Sequence, residues 1–213
     1  MKGIVLKPWE VEAFLQKRKS RVTRVIKLKY GNTHHEMFTN KHGTRLIEIQ
    51  NEVEGETFGR NPDGKYWVKL RGYIEPKAPY KVGDILFVKE KWCNVNKPEI
   101  DPEYAYFADT LGSEDYDPSE WEWRSSIHMP FEAARIFLRV NTVNVERLHN
   151  IGGPGQHDAF LKEGITYKFG QSPFNAFLNQ WNRDHPNCIY AMNPWVWVYE
   201  VEQISKEEAY GQN

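Results

Sequence analysis

Hydrophobic and β-branched residues fall in short runs between turn signals, a pattern that predicts many strands and few helices. Strand signals cover residues 3–6, 22–30, 44–49, 66–70, 85–88, 134–143 and 195–201. The last of these alternates strictly, which puts Trp195 and Trp197 on one face in a packing role. Tyr104 and Tyr106 mark a further short strand, and Val82-Gly83-Asp84 is a turn in which Asp84 serves the backbone. Helical spacing occurs at three places. Pro8 suits a first turn, and Val11, Phe14 and Leu15 form an apolar stripe that ends near Lys17. Residues 157–164 read as a short helix stopped by Gly164, and residues 174–183 place Phe177, Leu178 and Trp181 on one side. The expectation is one α+β domain over residues 1–213, a small β-barrel with short flanking helices and insertions at about 31–65 and 94–122.

Composition narrows the partners. The formal net charge of −1 excludes a binder that relies on bulk positive charge, so any nucleic-acid role must rest on a local site. Aromatic residues at 14% supply core and, where exposed, stacking surfaces for bases. Cys93 and Cys188 have neither metal nor redox spacing. The apolar run at the N-terminus is too short for a signal peptide, and no window approaches the roughly 20 apolar residues of a membrane span. The chain is therefore expected to be cytoplasmic, without a membrane partner. His34-His35-Glu36 lacks the spacing of a metal site because adjacent strand residues face opposite ways, and neither metal nor cofactor is expected.

The helix leading into Arg18-Lys19-Ser20, the strand Gly83-Asp84-Ile85-Leu86-Phe87-Val88 with Trp92, and the block from Trp123 to Pro130 with Ala134-Arg135-Ile136 occur in an informative order. Glu163-Gly164-Ile165 and Asn193-Pro194-Trp195-Val196-Trp197-Val198 complete the set. Together they resemble the ASCH family, in particular its longer phage and prophage members. The resemblance implies a PUA-like β-barrel that binds RNA, single-stranded nucleic acid or a modified nucleoside. One branch of the family hydrolyses the acetyl amide of N4-acetylcytidine, another is linked to ribonuclease activity, and the longer members have no settled reaction.

In the hydrolysing branch the site is a lysine after the first helix, a threonine three residues later and a glutamate from a later helix. By resemblance the lysine is Lys19 and the glutamate Glu163, whereas the threonine position holds Val22. A threonine nucleophile needs its hydroxyl deprotonated, as a lysine of lowered pKa can do, while a carboxylate orients the amine or carries a proton. Thr23 is adjacent to Val22, but neighbours on a regular strand face opposite ways. The expectation is therefore binding in a charged cleft, with hydrolysis as the alternative and a phage accessory or assembly role, using the acidic stretch 99–122, as a further one.

Other candidates come from the residues themselves. Arg18, Arg21, Thr23 and Arg24 leave the basic cluster on a strand, and Arg24 can hold a phosphate or carbonyl oxygen; the alternative is a solvated helix end and surface arginines. Trp123, Arg124, Ser126 and His128 combine a ring, a cation, a hydroxyl and an imidazole that can stack on a base and bond its edge. Their alternative is structural, with Trp123 in the core and Arg124 and His128 on loop carbonyls.

Overall fold

A computed structural model describes residues 1–27, 76–95, 104–111, 121–152 and 157–211, together with the backbone of five strands between residues 33 and 74. The chain runs β1 (Lys2–Val5), α1 (Pro8–Leu15), β2 (Arg21–Val25), β3 (Thr33–Asn40), β4 (Gly43–Gln50), β5 (Phe58–Arg60), β6 (Tyr66–Val68) and β7 (Tyr73–Ile74). It continues through β8 (Ile85–Lys89), β9 (Trp92–Asn94), β10 (Tyr104–Tyr106), β11 (Phe137–Arg147), α2 (His157–Leu161), α3 (Pro173–Asp184), β12 (Trp195–Ile204) and α4 (Lys206–Gly211).

The organising element is a five-stranded mixed sheet in the order β1-β8-β11-β12-β2. Only β1 and β8 are parallel; β11 pairs antiparallel with both β8 and β12, and β12 with β2. β11 and β12 form the long central ladder, as their branched and aromatic residues predict. The region 31–65, expected to be mostly irregular, contains the antiparallel pair β3–β4 in register from Thr33 opposite Gln50 to Asn40 opposite Gly43. Side chains in that region, including those of His34, His35 and Glu36, lie outside the described residues.

The closed barrel expected from the strand pattern is not formed by the described pairings. The sheet is open, with β1 and β2 at its edges. β1 ends at Val5 and turns into α1, and the Val5 carbonyl is met not by a β2 amide but by the Arg24 guanidinium, at 3.1 Å. The fold shown is mixed α+β with few helices. Among the described residues no helix is long and apolar enough to cross a membrane.

Both faces of the sheet are covered. One carries Ile4, Val11, Phe14, Val22, Leu86, Leu138, Val140 and Tyr199. The other packs Val196 and Val198 under Phe160, Phe177 and Trp181 of α2 and α3. A third cluster, around Trp92, Met129, Phe137 and Ala209, closes the far end. β2 is thus buried on both sides: Val22 stands opposite Tyr199 in the first cluster, and Thr23 stands opposite Val198 in the second.

Candidate functional site

The start of α1 places the first acidic group. Pro8 opens the helix, and three residues after Lys7 the Glu10 carboxylate accepts the Lys7 backbone N–H at 3.0 Å. This local bond turns Glu10 inward, where it is 4% exposed. The Arg24 guanidinium donates to the same carboxylate at 3.2 Å, and the Lys19 ammonium lies 3.7 Å away. Burial pushes the Glu10 pKa up, but Arg24, Lys19 and the Lys7 amide together outweigh it and hold the group below its ordinary value.

The turn after α1 delivers Lys19. Lys17 adopts a left-handed conformation at φ 56°, and the N–H groups of Arg18 and Lys19 both bond the Ala13 carbonyl. Lys19 then pairs with Glu163 in an isolated antiparallel bridge, and Ser20 and Arg21 donate to the Lys162 carbonyl. Gly164 makes this approach possible. Its φ is +76°, and a Cβ there would lie 2.7 Å from the Cβ of Ala13 and 2.9 Å from that of Lys19.

Three side chains meet on the resulting surface. The Thr23 hydroxyl donates to Glu163 Oε1 at 2.7 Å. The Lys19 ammonium donates to the Glu163 backbone carbonyl at 2.8 Å and lies 3.4 Å from Oε2 of the same side chain. Thr23 and Glu163 are each 4% exposed. Lys19, with its side chain 1% exposed, stands behind the wall with its ammonium 5.1 Å from the centre of the Trp9 ring.

In front of them opens a cleft of about 220 Å³. Glu10, Thr23, Arg24 and Glu163 form its polar side, and Trp9, Ile165, Phe177 and Trp181 its apolar side. Asp184 ties α3 to the start of α1, accepting from Trp9 Nε1 at 3.0 Å and pairing with Lys7 at 2.8 Å. His185 stacks on Trp181 with ring centres 4.0 Å apart, and its Nδ1–H donates to the Trp181 carbonyl, leaving Nε2 as an acceptor. Burial lowers the His185 pKa, which favours the neutral ring. Among the described residues lining the cleft the charged ones are Glu10, Glu163 and Asp184 against Lys7 and Arg24, an excess of one acidic charge, with Lys19 behind them.

The structure thus brings Lys19, Thr23, Arg24 and Glu163 together. It corrects the reasoning about Thr23. The face of β2 that meets the cleft is set by the pairing with β12, which turns Thr23 and Val25 towards the α3 side and Val22 into the opposite core. A valine at 22 therefore does not remove the hydroxyl from the site, because Thr23 supplies it.

Other candidates fall elsewhere. Arg18 is at a shallow neighbouring groove, bonding the Gly164 carbonyl and Gln16. Arg21 is held by Glu200 at 2.8 and 3.0 Å and does not line the cleft. Trp123, Arg124, Ser126 and His128 are also outside it. Arg124 bridges Trp92 and lies over its ring, Trp123 stacks edge-on against Phe107, and Ser126 and His128 belong to a single helical turn beside the Met129 cluster. Arg21 and Arg124 therefore do not join Arg24 at the cleft.

Sequence reasoning missed Glu10, Trp9, Asp184 and His185. Only Glu10 carried a readable signal: a glutamate two residues after the N1 proline is where a carboxylate turns back to cap the helix start. Among the described residues no cluster of His, Cys, Asp and Glu can hold a metal ion. Comparison of the chain with protein-family models, with curated proteins and with solved structures returns no match.

Proposed function

We propose that the cleft takes a single modified nucleobase and that Thr23 and Glu163 hydrolyse an amide on it, as does the N4-acetylcytidine branch of the family that the sequence resembles, a branch less similar to this chain than the longer members. The observation that carries this reading is the 2.7 Å hydrogen bond from the Thr23 hydroxyl to a carboxylate that also pairs with Lys19. On this reading the open sheet is a PUA-like barrel in which the β1–β2 gap is the ligand entrance.

The size of the cleft supports a small ligand, since 220 Å³ is below the ~300–1,000 Å³ usual for drug-sized molecules. Its acidic lining disfavours a phosphate at the bottom but suits the N–H donors of an exocyclic amide or amine, which carboxylates accept. Trp9, Phe177 and Trp181 give a ring something apolar to lie against.

In the proposed reaction Glu163 takes the Thr23 hydroxyl proton as Oγ1 attacks the acyl carbon. The C–N bond breaks, the nitrogen leaves with the proton from Glu163, and the acyl group stays on Thr23 as an ester. Water, deprotonated by Glu163, then cleaves the ester to give the free acid and restore the hydroxyl. Lys19 is a positioning residue here: it holds Glu163 from behind and reaches no ligand.

The test is acetate release from N4-acetylcytidine. Thr23→Val and Glu163→Gln should each lower turnover by about 10²-fold or more, and Thr23→Ser should retain part of it. Lys19→Arg should shift the pH profile while keeping measurable turnover. If the unaltered protein at high concentration releases no acid from N4-acylated cytidines, or if Thr23→Val turns over as fast as the parent, the proposal falls.

A further inference from the structure

Beside the cleft lies a second and wider hollow of about 530 Å³, between the edge strands β1 and β2. Val5 and Arg24 line both spaces, which adjoin on either side of the hydrogen bond from the Arg24 guanidinium to the Val5 carbonyl. Their chemistry is opposite. Among the described residues lining the hollow the charged ones are Arg24, Lys27 and Lys77, and none is a carboxylate. Arg24 is committed to Glu10, whereas Lys27 and Lys77 are exposed and have no acidic partner among the described residues. The hollow is also lined by Tyr80 and Trp197. Tyr80 is fixed there by its hydroxyl on the Gly3 carbonyl at 3.1 Å and by edge-on packing against Tyr199.

From this pairing of an acidic, ring-lined cleft with a basic, ring-lined hollow, we propose that the ligand is a nucleotide and not a free nucleoside, with its phosphate held by Lys27 and Lys77. The inference rests on the reading of the cleft as a nucleobase pocket. A base seated against Trp181 and Glu163 must leave its sugar at the mouth. Past Arg24, across its bond to the Val5 carbonyl, lies an adjoining space where negative charge is favoured. Tyr80 and Trp197 then offer a surface to the sugar or to a neighbouring base. The modest total charge of the protein is no obstacle, because the cation pair is local.

The phosphate can belong to a free mononucleotide or to one residue of a strand, and the experiment separates these. Calorimetric affinities are measured for cytidine, cytidine 5′-monophosphate, cytidine 3′-monophosphate and a four-residue RNA containing one cytidine. The expected result is a preference of about tenfold or more for at least one phosphorylated ligand over cytidine, weakening as salt rises. In the double variant Lys27→Ala/Lys77→Ala that preference should vanish, while Lys206→Ala, on α4, leaves it in place. A tetranucleotide that binds more tightly than either monophosphate points to a strand, and equal affinity points to the free nucleotide; both uphold the proposal. Equal affinity for cytidine and every phosphorylated ligand would overturn it, as would a preference that survives the double variant. The readout is binding, so it is independent of turnover. A phosphate preference without amide hydrolysis would sink the hydrolase reading and leave this one standing, and hydrolysis without the preference would do the reverse.

Discussion

Replacing Lys19 by methionine tests the buried charge cluster most directly. The ammonium lies 3.4 Å from Glu163 Oε2 and 3.7 Å from Glu10 Oε1, with its side chain 1% exposed. Removing one partner of a buried pair costs about 3–5 kcal/mol because the other charge is left behind. Three retained contacts argue for the lower end. Glu10 keeps Arg24 at 3.2 Å and the Lys7 amide at 3.0 Å, and Glu163 keeps the Thr23 hydroxyl at 2.7 Å. Loss of the Trp9 contact adds at most ~1 kcal/mol, for a total of roughly 3–4 kcal/mol at pH 7. For a chain of this length that lowers Tm by about 6–16 °C.

The pH dependence gives the same variant a second signature. In the parent protein the Glu10 pKa is held below its ordinary 4.5, so its contribution is present above 4.5 and is lost as pH falls through the lowered value. In Lys19→Met one of the cations that lowers the Glu10 pKa is gone, so less of this contribution is present at pH 7 and less is lost on acidification. The gap between parent and variant should therefore narrow from pH 7 to pH 4 in urea unfolding followed by tryptophan fluorescence. Adding Glu163→Gln to Lys19→Met should recover much of the loss at pH 7, as coupled neighbours do. A difference below about 1 kcal/mol at pH 7, or a gap that widens on acidification, would refute the reasoning.

Three further outcomes are expected. Gly164→Ala combines a left-handed conformation, about 1–2 kcal/mol, with overpacking of about 1–3 kcal/mol against Ala13 and Lys19, and should lower the urea midpoint by an amount equivalent to roughly 2–5 kcal/mol. Val22→Thr buries a hydroxyl in the core at a cost of about 1–3 kcal/mol but leaves turnover unchanged; Thr23→Val should show the opposite pattern in the same two assays. At the other end of the sheet, burial raises the Glu90 pKa despite its bonds from Arg135 at 2.9 and 3.0 Å, so its ionisation costs stability as pH rises above 4.5. Glu90→Gln should remove that slope and stay within ~1 kcal/mol of the parent at pH 7, whereas Arg135→Met, which orphans Glu90, should cost about 3 kcal/mol by urea titration.

The strands that build the central ladder were legible because β11 and β12 carry long branched and aromatic runs, and α3 because Phe177 and Trp181 repeat at helical spacing. The α1 stripe was legible in part: Val11 and Phe14 are buried as expected, but Leu15 is 41% exposed, and its expected place is taken by Ala13 and Glu10. Glu10 escaped because an acidic residue in a first turn ordinarily faces water. The Trp123 to Pro130 block was misplaced for a different reason. Its composition suits a binding site, but nothing local shows which end of the sheet it joins, and the Trp92–Arg124 bridge sends it to the end away from the cleft.

The error about Thr23 is the most instructive, because the principle applied was sound. Alternation does put residues 22 and 23 on opposite faces, and they are on opposite faces. The mistake was to let a spacing taken from a family resemblance decide which face met the cleft. On an edge strand covered on one side only, hydrophobicity would have decided it: the valine goes in and the threonine goes out. Here β2 is enclosed by Phe14 and Tyr199 on one side and by the α3 cluster on the other, so both residues are buried and the pattern contains no such mark. What distinguishes the two sides is the partner each side chain finds. Val22 packs into an apolar cluster, whereas the buried Thr23 hydroxyl needs an acceptor and has one in Glu163. The requirement that a buried hydroxyl be bonded would thus have identified the face that alternation left open, given only that β2 is covered on both sides.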